Sequence, residues 1–269
     1  MHRPQLNALA TSFLLMAAAL TIGPRAQAEG LRTPQRASIE LVASQSRLSA
    51  DLPDGSAANL RATWSPRSGT LLSAEALSEK KFGATGGLAG LGLTQELGER
   101  WYGSVAGLGG WGGVNWAAQK LDLSLSRKWG ERRQFVTTLG GYRARFEGGR
   151  SDSGLRLSAT HYVNAGLVLD AGAAFNRSQP GSVGSVMPWF AATLGSEGWQ
   201  YVSLRVSRGS EAWQPLVGSA QIVDFKSSSV GIDWRRWVEP GWGFVLRAEH
   251  YTNPSYHRNT LGAGVFMGL

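Results

Sequence analysis

From about residue 37 to the C-terminus, apolar and polar positions alternate with a period of two. In KLDLSLSRK, Leu121, Leu123 and Leu125 fall on one side, with Asp122, Ser124 and Ser126 on the other. GLRLSAT sets Leu155, Leu157 and Ala159 against Arg156, Ser158 and Thr160, and YVSLRVSRG sets Val202, Leu204 and Val206 against Ser203, Arg205 and Ser207. SVGIDWRR repeats the pattern with Val230, Ile232 and Trp234 against Gly231, Asp233 and Arg235. Successive strand side chains point to opposite faces, so this period predicts strands with one apolar and one polar face, and helical periodicity is almost absent. The segments number about 14 at roughly ten residues each, the length of a membrane-crossing β-strand. They fall at 37–47, 58–66, 70–79, 87–97, 100–109, 118–128, 134–146, 153–162, 166–176, 187–195, 199–208, 225–236, 243–252 and 257–268. Merging short neighbours would leave 12 strands.

A soluble sandwich or lipocalin-like barrel would also alternate, so the connections carry weight. Even-numbered segments end in short turns such as ELGERW and VEPGWG, and odd-numbered ones in longer loops such as RLSADLPDGSAAN and GSEAWQPLVGSAQIVD. Short turns at one end and long loops at the other are the arrangement of an outer-membrane barrel, the short end being periplasmic. Several short turns (GERWY, GSEGWQY, EPGWGF) run from an acid and a glycine or proline into an aromatic. Indole and phenol rings just past a turn suit a membrane–water boundary, with ring in lipid and polar tip among headgroups. On this basis Trp101, Trp199, Trp234, Trp237 and Trp242 are the predicted interfacial aromatics. The last segment, TLGAGVFMGL, alternates to the final residue, as suits a barrel that pairs its last strand with its first.

The N-terminus adds a location. Arg3, an apolar run from Ala8 to Ile22 and a small-residue exit at Ala26–Gln27–Ala28 form the pattern of a cleaved secretory leader, predicted over 1–28, with a barrel domain over 29–269. Of the formal charge of +8, Arg3 and Arg25 leave with the leader, which takes it to +6. That mild excess, on an exported chain with no basic cluster, argues against nucleic acid as a partner. With no cysteine, disulfides and thiolate metal sites are excluded. The 36 glycines far exceed the usual ~7%, and the 17% charged residues fall short of the usual ~25%, so the composition is unlike that of an ordinary soluble domain.

Candidate chemistry is sparse. His250, Ser255 and His257 cluster near the last loop, with Glu249 beyond it, but no G-x-S-x-G or other hydrolase signature accompanies them. No His/Asp/Glu spacing suggests a metal, and GGLAGLGLTQ lies on a strand with no helix behind it, so no phosphate cradle forms. Neither a catalytic residue nor a cofactor or metal is predicted. The polar faces are more telling: Glu40, Arg61, Glu75, Glu96, Asp122, Lys128 and Asp170 are expected inside the barrel. So are Arg143, Arg145, Arg156, Arg205, Asp233, Arg235, Arg247 and Glu249, the candidate lumen-lining set. Balanced ions filling an interior are the structural reading of these residues; an arginine-rich wall favouring anionic saccharide is the functional one.

The tail VDFKSSSVGIDWRRWVEPGWGFVLRAEHYTNPSYHRNTLGAGVF resembles the C-terminal part of the YaiO-type outer-membrane β-barrel proteins. The resemblance rests on DF before the penultimate hairpin, WRRW, the GWGF turn, AEHYTNPSYHR and the glycine-rich closing strand, and it is specific over about residues 200–269. It implies an outer-membrane barrel without an assigned reaction and with a link to envelope polysaccharide. The sequence thus predicts an all-β, transmembrane, antiparallel up-and-down barrel in the cell outer membrane. Its expected role is non-enzymatic, porin-like or accessory to envelope or exopolysaccharide export, with outer-membrane lipid and the barrel-assembly machinery as partners. A lipid-modifying enzyme, and a structural or adhesive barrel acting through its long loops, are the alternatives.

Overall fold

The computed structural model describes residues 37–213 and 223–269. The expected leader and residues 214–222 of the GSEAWQPLVGSAQIVD loop lie outside the described residues. The strands are β1 (Ala37–Leu48), β2 (Gly55–Arg67), β3 (Thr70–Lys81), β4 (Ala84–Glu96), β5 (Trp101–Trp111), β6 (Ala117–Trp129) and β7 (Phe135–Phe146). Then follow β8 (Ser151–Asn164), β9 (Leu167–Gln179), β10 (Val183–Ser196), β11 (Gln200–Trp213), β12 (Val223–Glu239), β13 (Trp242–Thr252) and β14 (His257–Gly268). Each pairs antiparallel with its sequence neighbours, and β14 closes on β1, from Ser38 opposite Gly268 to Leu48 opposite Arg258. Beyond the ladder, the Leu269 amide donates to the Ala37 carbonyl at 2.8 Å. Closure leaves no free sheet edge, the condition a sheet must meet in hydrocarbon, where an unpaired backbone group finds no water.

The alternation becomes two surfaces. Directly opposed residues in an antiparallel pair share a face, so one exposed leucine fixes the parity of its neighbours. Leu139 (58% exposed) lies opposite Leu157, Leu123 opposite Val105, and Leu204 opposite Ile232, all on the outer wall. In water this continuous apolar band would be an aggregation surface. In a bilayer it is the lipid-facing belt. The inner parity carries the polar residues, joined by hydroxyl pairs such as Ser104–Ser124 at 2.6 Å and Ser126–Thr138 at 2.8 Å.

Connections at the end bearing both termini are short: residues 68–69, 165–166 and 240–241 each suffice for a turn. Pro240 and Gly241 follow turn chemistry, since proline presets the first central φ and glycine takes the positive φ, 99°, at the second. At the opposite end the connections are shorter than the sequence predicts: residues 82–83 join β3 to β4, and 180–182 join β9 to β10. The hairpins there continue as ladders into segments taken as loop, so β10 starts at Val183 rather than near 187. Above a membrane both faces of a hairpin are wet, so no apolar alternation reports the strand.

Fourteen strands about 4.8 Å apart, tilted about 40°, give a circumference near 88 Å and a backbone diameter of about 28 Å. An extended arginine reaches about 7 Å from its Cα, so side chains from opposite walls do not meet by length alone. The outer end is narrowed on one side by Tyr251 and Tyr256, packed with Leu48, Leu52, Phe82 and Phe225. Nearby, Trp116 is folded in to 1% exposure, with the Lys81 ammonium 4.8 Å from its ring.

Candidate functional site

The lumen wall is a set of short ion-pair ladders. On β12–β13–β14–β1, Glu40 accepts from Arg235 at 3.1 Å and Arg247 at 2.8 Å, and Arg247 also reaches Asp233 at 2.7 Å. Arg258 donates to Glu249 at 2.7 Å and Arg61 to Glu75 at 3.2 Å. Lys128 meets Glu96 at 2.6 Å, and Asp122 is shared between Arg156 and Lys120. These pairs run along the wall; the longest bridge, Arg235 to Glu40, passes over β13 and β14. Strand parity explains the clustering, because charges at alternate positions of adjacent strands become lateral neighbours.

Arg205 departs from this pattern. Among the described lumen-facing bases on the strands it alone makes no ion pair, and its guanidinium lies 4.3 Å from the centre of the Trp189 ring. Both project inward, since their neighbours Leu204 and Phe190 are exposed on the outer wall. Gly172 makes room: a Cβ there would stand 2.8 Å from the Trp189 ring and 2.7 Å from the Leu157 carbonyl oxygen. Asp170, held by the Thr160 hydroxyl, lies two strands from Arg205 across Ala191. The result is an unpaired cation on an aromatic platform with a carboxylate nearby, facing the interior.

Aromatics mark the periplasmic mouth. Trp237 packs edge-on against Tyr201 at 5.4 Å and Phe266 at 4.9 Å, and the Arg235 guanidinium lies 3.8 Å from the centre of the Phe266 ring. On the outside of the same end, Trp101, Trp199, Trp234 and Trp242 are exposed, joined by Trp64, Trp129 and Phe135, with the half-buried Phe244 edge-on to Trp234 at 5.3 Å. Arg127 stacks on Trp129 at 3.7 Å within this girdle.

The family model described as the YaiO membrane beta barrel domain matches residues 36–214. The chain belongs to this family. The match covers the first eleven strands, whereas the tail motifs that carry the sequence resemblance lie mainly beyond it, so the two overlap only around β11. Among curated proteins none matches the chain. The CymD monoaromatic hydrocarbon channel superposes with a TM-score of 0.58 at 6% identity, over 87% of this chain and 88% of that one. An outer membrane channel from Pseudomonas putida F1 superposes with a TM-score of 0.53 at 10% identity, over 89% and 98% of the two chains. At such identities the likeness is one of fold. Family and fold together place this YaiO barrel in the outer membrane.

The structure sorts the predicted residues by face. Arg156, Arg205, Asp233, Arg235, Arg247 and Glu249 line the lumen of the YaiO barrel, as do Glu40, Arg61, Glu75, Glu96, Asp122, Lys128 and Asp170. Arg143 and Arg145 do not. They lie opposite the outward residues Leu121 and Gln119, on the parity of Leu139, and both are exposed on the outer wall. The sequence assigned them inward because arginine is polar, but parity runs unbroken along β7 and carries them outward above the apolar belt. Trp237 is also corrected: it faces the lumen, one position past the outward Arg236, and narrows the mouth instead of joining the girdle. Trp64 and Trp129 were missed as girdle residues, although both stand beside short turns. The serine–histidine grouping does not assemble. His250 and His257 face outward, bonded to Asn259 and Thr252, while Glu249 faces inward to Arg258.

Proposed function

We propose that this barrel is a passive, non-enzymatic channel for small polar solutes of saccharide character, with Arg205 on Trp189 as the contact point for an acidic sugar. The observation that carries the reading is that unpaired guanidinium. Every other described lumen base on a strand is paired with a carboxylate, so Arg205 is the strand cation left to meet a solute. Trp189 offers the flat apolar face on which a sugar ring stacks, and Arg205 beside it offers a planar fork for a carboxylate. The surrounding serine and threonine hydroxyls supply exchangeable hydrogen bonds to a hydrated solute. Paired charges elsewhere keep the wall wet without a strong sign preference, so the anion preference is a local property of β10–β11 and not of the whole arginine set. A channel of this kind also fits an accessory role in envelope or exopolysaccharide export, in which fragments of an acidic polymer would use the same passage. The two solved structures of like fold are both described as channels, which supports the reading without naming a solute.

The test is single-channel recording of the folded protein in planar bilayers, followed by liposome uptake of neutral and uronic-acid disaccharides. The expected result is a steady conductance whose anion-to-cation permeability ratio falls in Arg205→Gln, with uptake of the acidic sugar reduced more than that of the neutral one. Absence of conductance in protein shown to be folded would sink the channel. An unchanged permeability ratio in the variant would remove Arg205 from the mechanism.

A further inference from the structure

The correction at Arg143 and Arg145 exposes a second pattern. Arg177 on β9 shares their outward parity, two strands away from β7. Ser153 on β8 lies opposite both Arg143 and Arg177, and Ser151 lies opposite Arg145. All three arginines are exposed, and among the described residues none makes an ion pair. Two strand spacings put Arg143 and Arg177 about 10 Å apart, so both forks reach a group seated over Ser153. The strand carboxylate nearest in sequence, Asp152, points to the lumen on the opposite parity, and Glu147 sits past the end of β7 in the turn.

Height along the wall identifies what surrounds these side chains. Arg143 is eight residues from Phe135 in the periplasmic girdle, and Arg177 is eight from Leu169 in the same lateral row. Eight residues along a strand tilted about 40° climb about 20 Å, and Arg145 about 25 Å, which is the height of the apolar belt. The same interval separates Ile39 from Arg47, Leu72 from Lys80 and Trp234 from Lys226, again ending on an exposed, outward base. An outward arginine costs about 2–4 kcal/mol at the midplane but about 0–1 at the interface. The ring therefore lies in the headgroup layer of the outer leaflet. Among the described side chains, the strand carboxylates of that half (Glu79, Asp152, Glu211 and Glu249) face inward, so the outward charges on the strands there are basic, with the exposed carboxylates Asp51, Asp54 and Glu147 confined to the turns beyond.

We propose that Arg143, Arg145 and Arg177, with the Ser151 and Ser153 hydroxyls, form a surface that binds the phosphate of a phosphorylated outer-leaflet glycolipid, the rest of the basic ring adding weaker contacts. Guanidinium forks recognise phosphate bidentately, and the apolar wall directly below receives the acyl chains, so headgroup and tail contacts are continuous. This surface is independent of any passage through the lumen.

The experiment is native mass spectrometry of the full folded chain in detergent, titrated with a bis-phosphorylated acylated glucosamine disaccharide and with its dephosphorylated counterpart. Wild type is expected to hold the phosphorylated lipid at least roughly tenfold more tightly, a preference that R143S/R145S/R177S abolishes. Unchanged heat-modifiable gel mobility shows that the variant is folded. If the triple variant does not fold, Arg177→Gln alone should weaken retention severalfold. Equal retention of the two lipids, or a preference that survives in the folded variant, overturns the proposal. So does full displacement of the lipid by inorganic phosphate at equal concentration, because free anion and not lipid would then be the ligand.

Discussion

Glu40 offers the sharpest test of how the lumen wall is held together. Its side chain is 10% exposed and accepts from Arg235 on β12 and Arg247 on β13, tying the closing strands to β1. Glu40→Gln keeps the shape and removes the charge. Arg247 retains Asp233 at 2.7 Å, so Arg235 is the group left without a carboxylate. Removing one member of a fully buried pair costs about 3–5 kcal/mol, and an exposed pair contributes about 0.2–1. Arg235 and Arg247 are 32% and 35% exposed, so water screens part of the loss and the expected destabilisation is about 2 kcal/mol. The assay is urea unfolding of the barrel refolded in lipid vesicles, followed by tryptophan emission and by the mobility of unboiled protein. With a slope of about 3 kcal/mol/M, the midpoint should fall by about 0.7 M. Combined with Arg235→Gln, the double variant should be less destabilised than the sum of the singles by about 1–2 kcal/mol, since the orphaned cation is gone. Additivity to within about 0.5 kcal/mol, or a Glu40→Gln variant as stable as wild type, would show that these pairs decorate the wall without holding it.

The assignment of faces yields paired outcomes on adjacent residues. Leu204→Arg places a charge on the lipid belt and should cost about 2–4 kcal/mol, whereas Ser203→Arg, inward and opposite Asp233, should leave vesicle refolding near wild type. Trp242→Ala should weaken the folded state by about 1–2 kcal/mol through lost interfacial burial. Trp237→Ala should instead raise single-channel conductance by widening the periplasmic mouth; the opposite assignment of effects would refute the correction at Trp237. Gly172→Val should displace Trp189 and reduce acidic-sugar uptake more than salt conductance, and equal losses of both would deny the platform a role.

Much of this architecture is legible in the sequence because a membrane barrel has one dominant constraint. A strand with lipid on one side and a wet lumen on the other must alternate, and KLDLSLSRK or YVSLRVSRG announces its faces without help from its neighbours. The fourteen strands and the closing role of TLGAGVFMGL follow from that. Legibility fails where the constraint lapses. Beyond the headgroups both faces are wet, so the upper ladder of β10 reads as loop. At the interfaces either face accepts a polar or an amphipathic side chain, so residue type no longer reports direction. Arg143 and Trp237 show the two forms of this error. Residue type alone assigns the arginine inside because it is charged and the tryptophan outside because it is aromatic, and strand parity reverses both.

Parity also decides what each arginine can do. Arg205 and Arg143 are chemically identical, and both sit on strands of the same barrel. Arg205 shares its inward face with Trp189, so on the proposed channel reading its unpaired charge is the one offered to a solute. Arg143 shares its face with Leu139 and Ser153 at the height where hydrocarbon ends, so its charge is presented to the membrane's own anions. A shift of one residue in register would exchange the roles. Register in β7 is held on both sides, by Leu121 opposite Arg143 on β6 and by Leu157 opposite Leu139 on β8, and slipping it would bring Tyr142 and Gly140 to the lipid face. The apolar belt therefore does more than anchor the protein. By penalising every slipped register, it fixes which guanidiniums face the lumen and which face lipid.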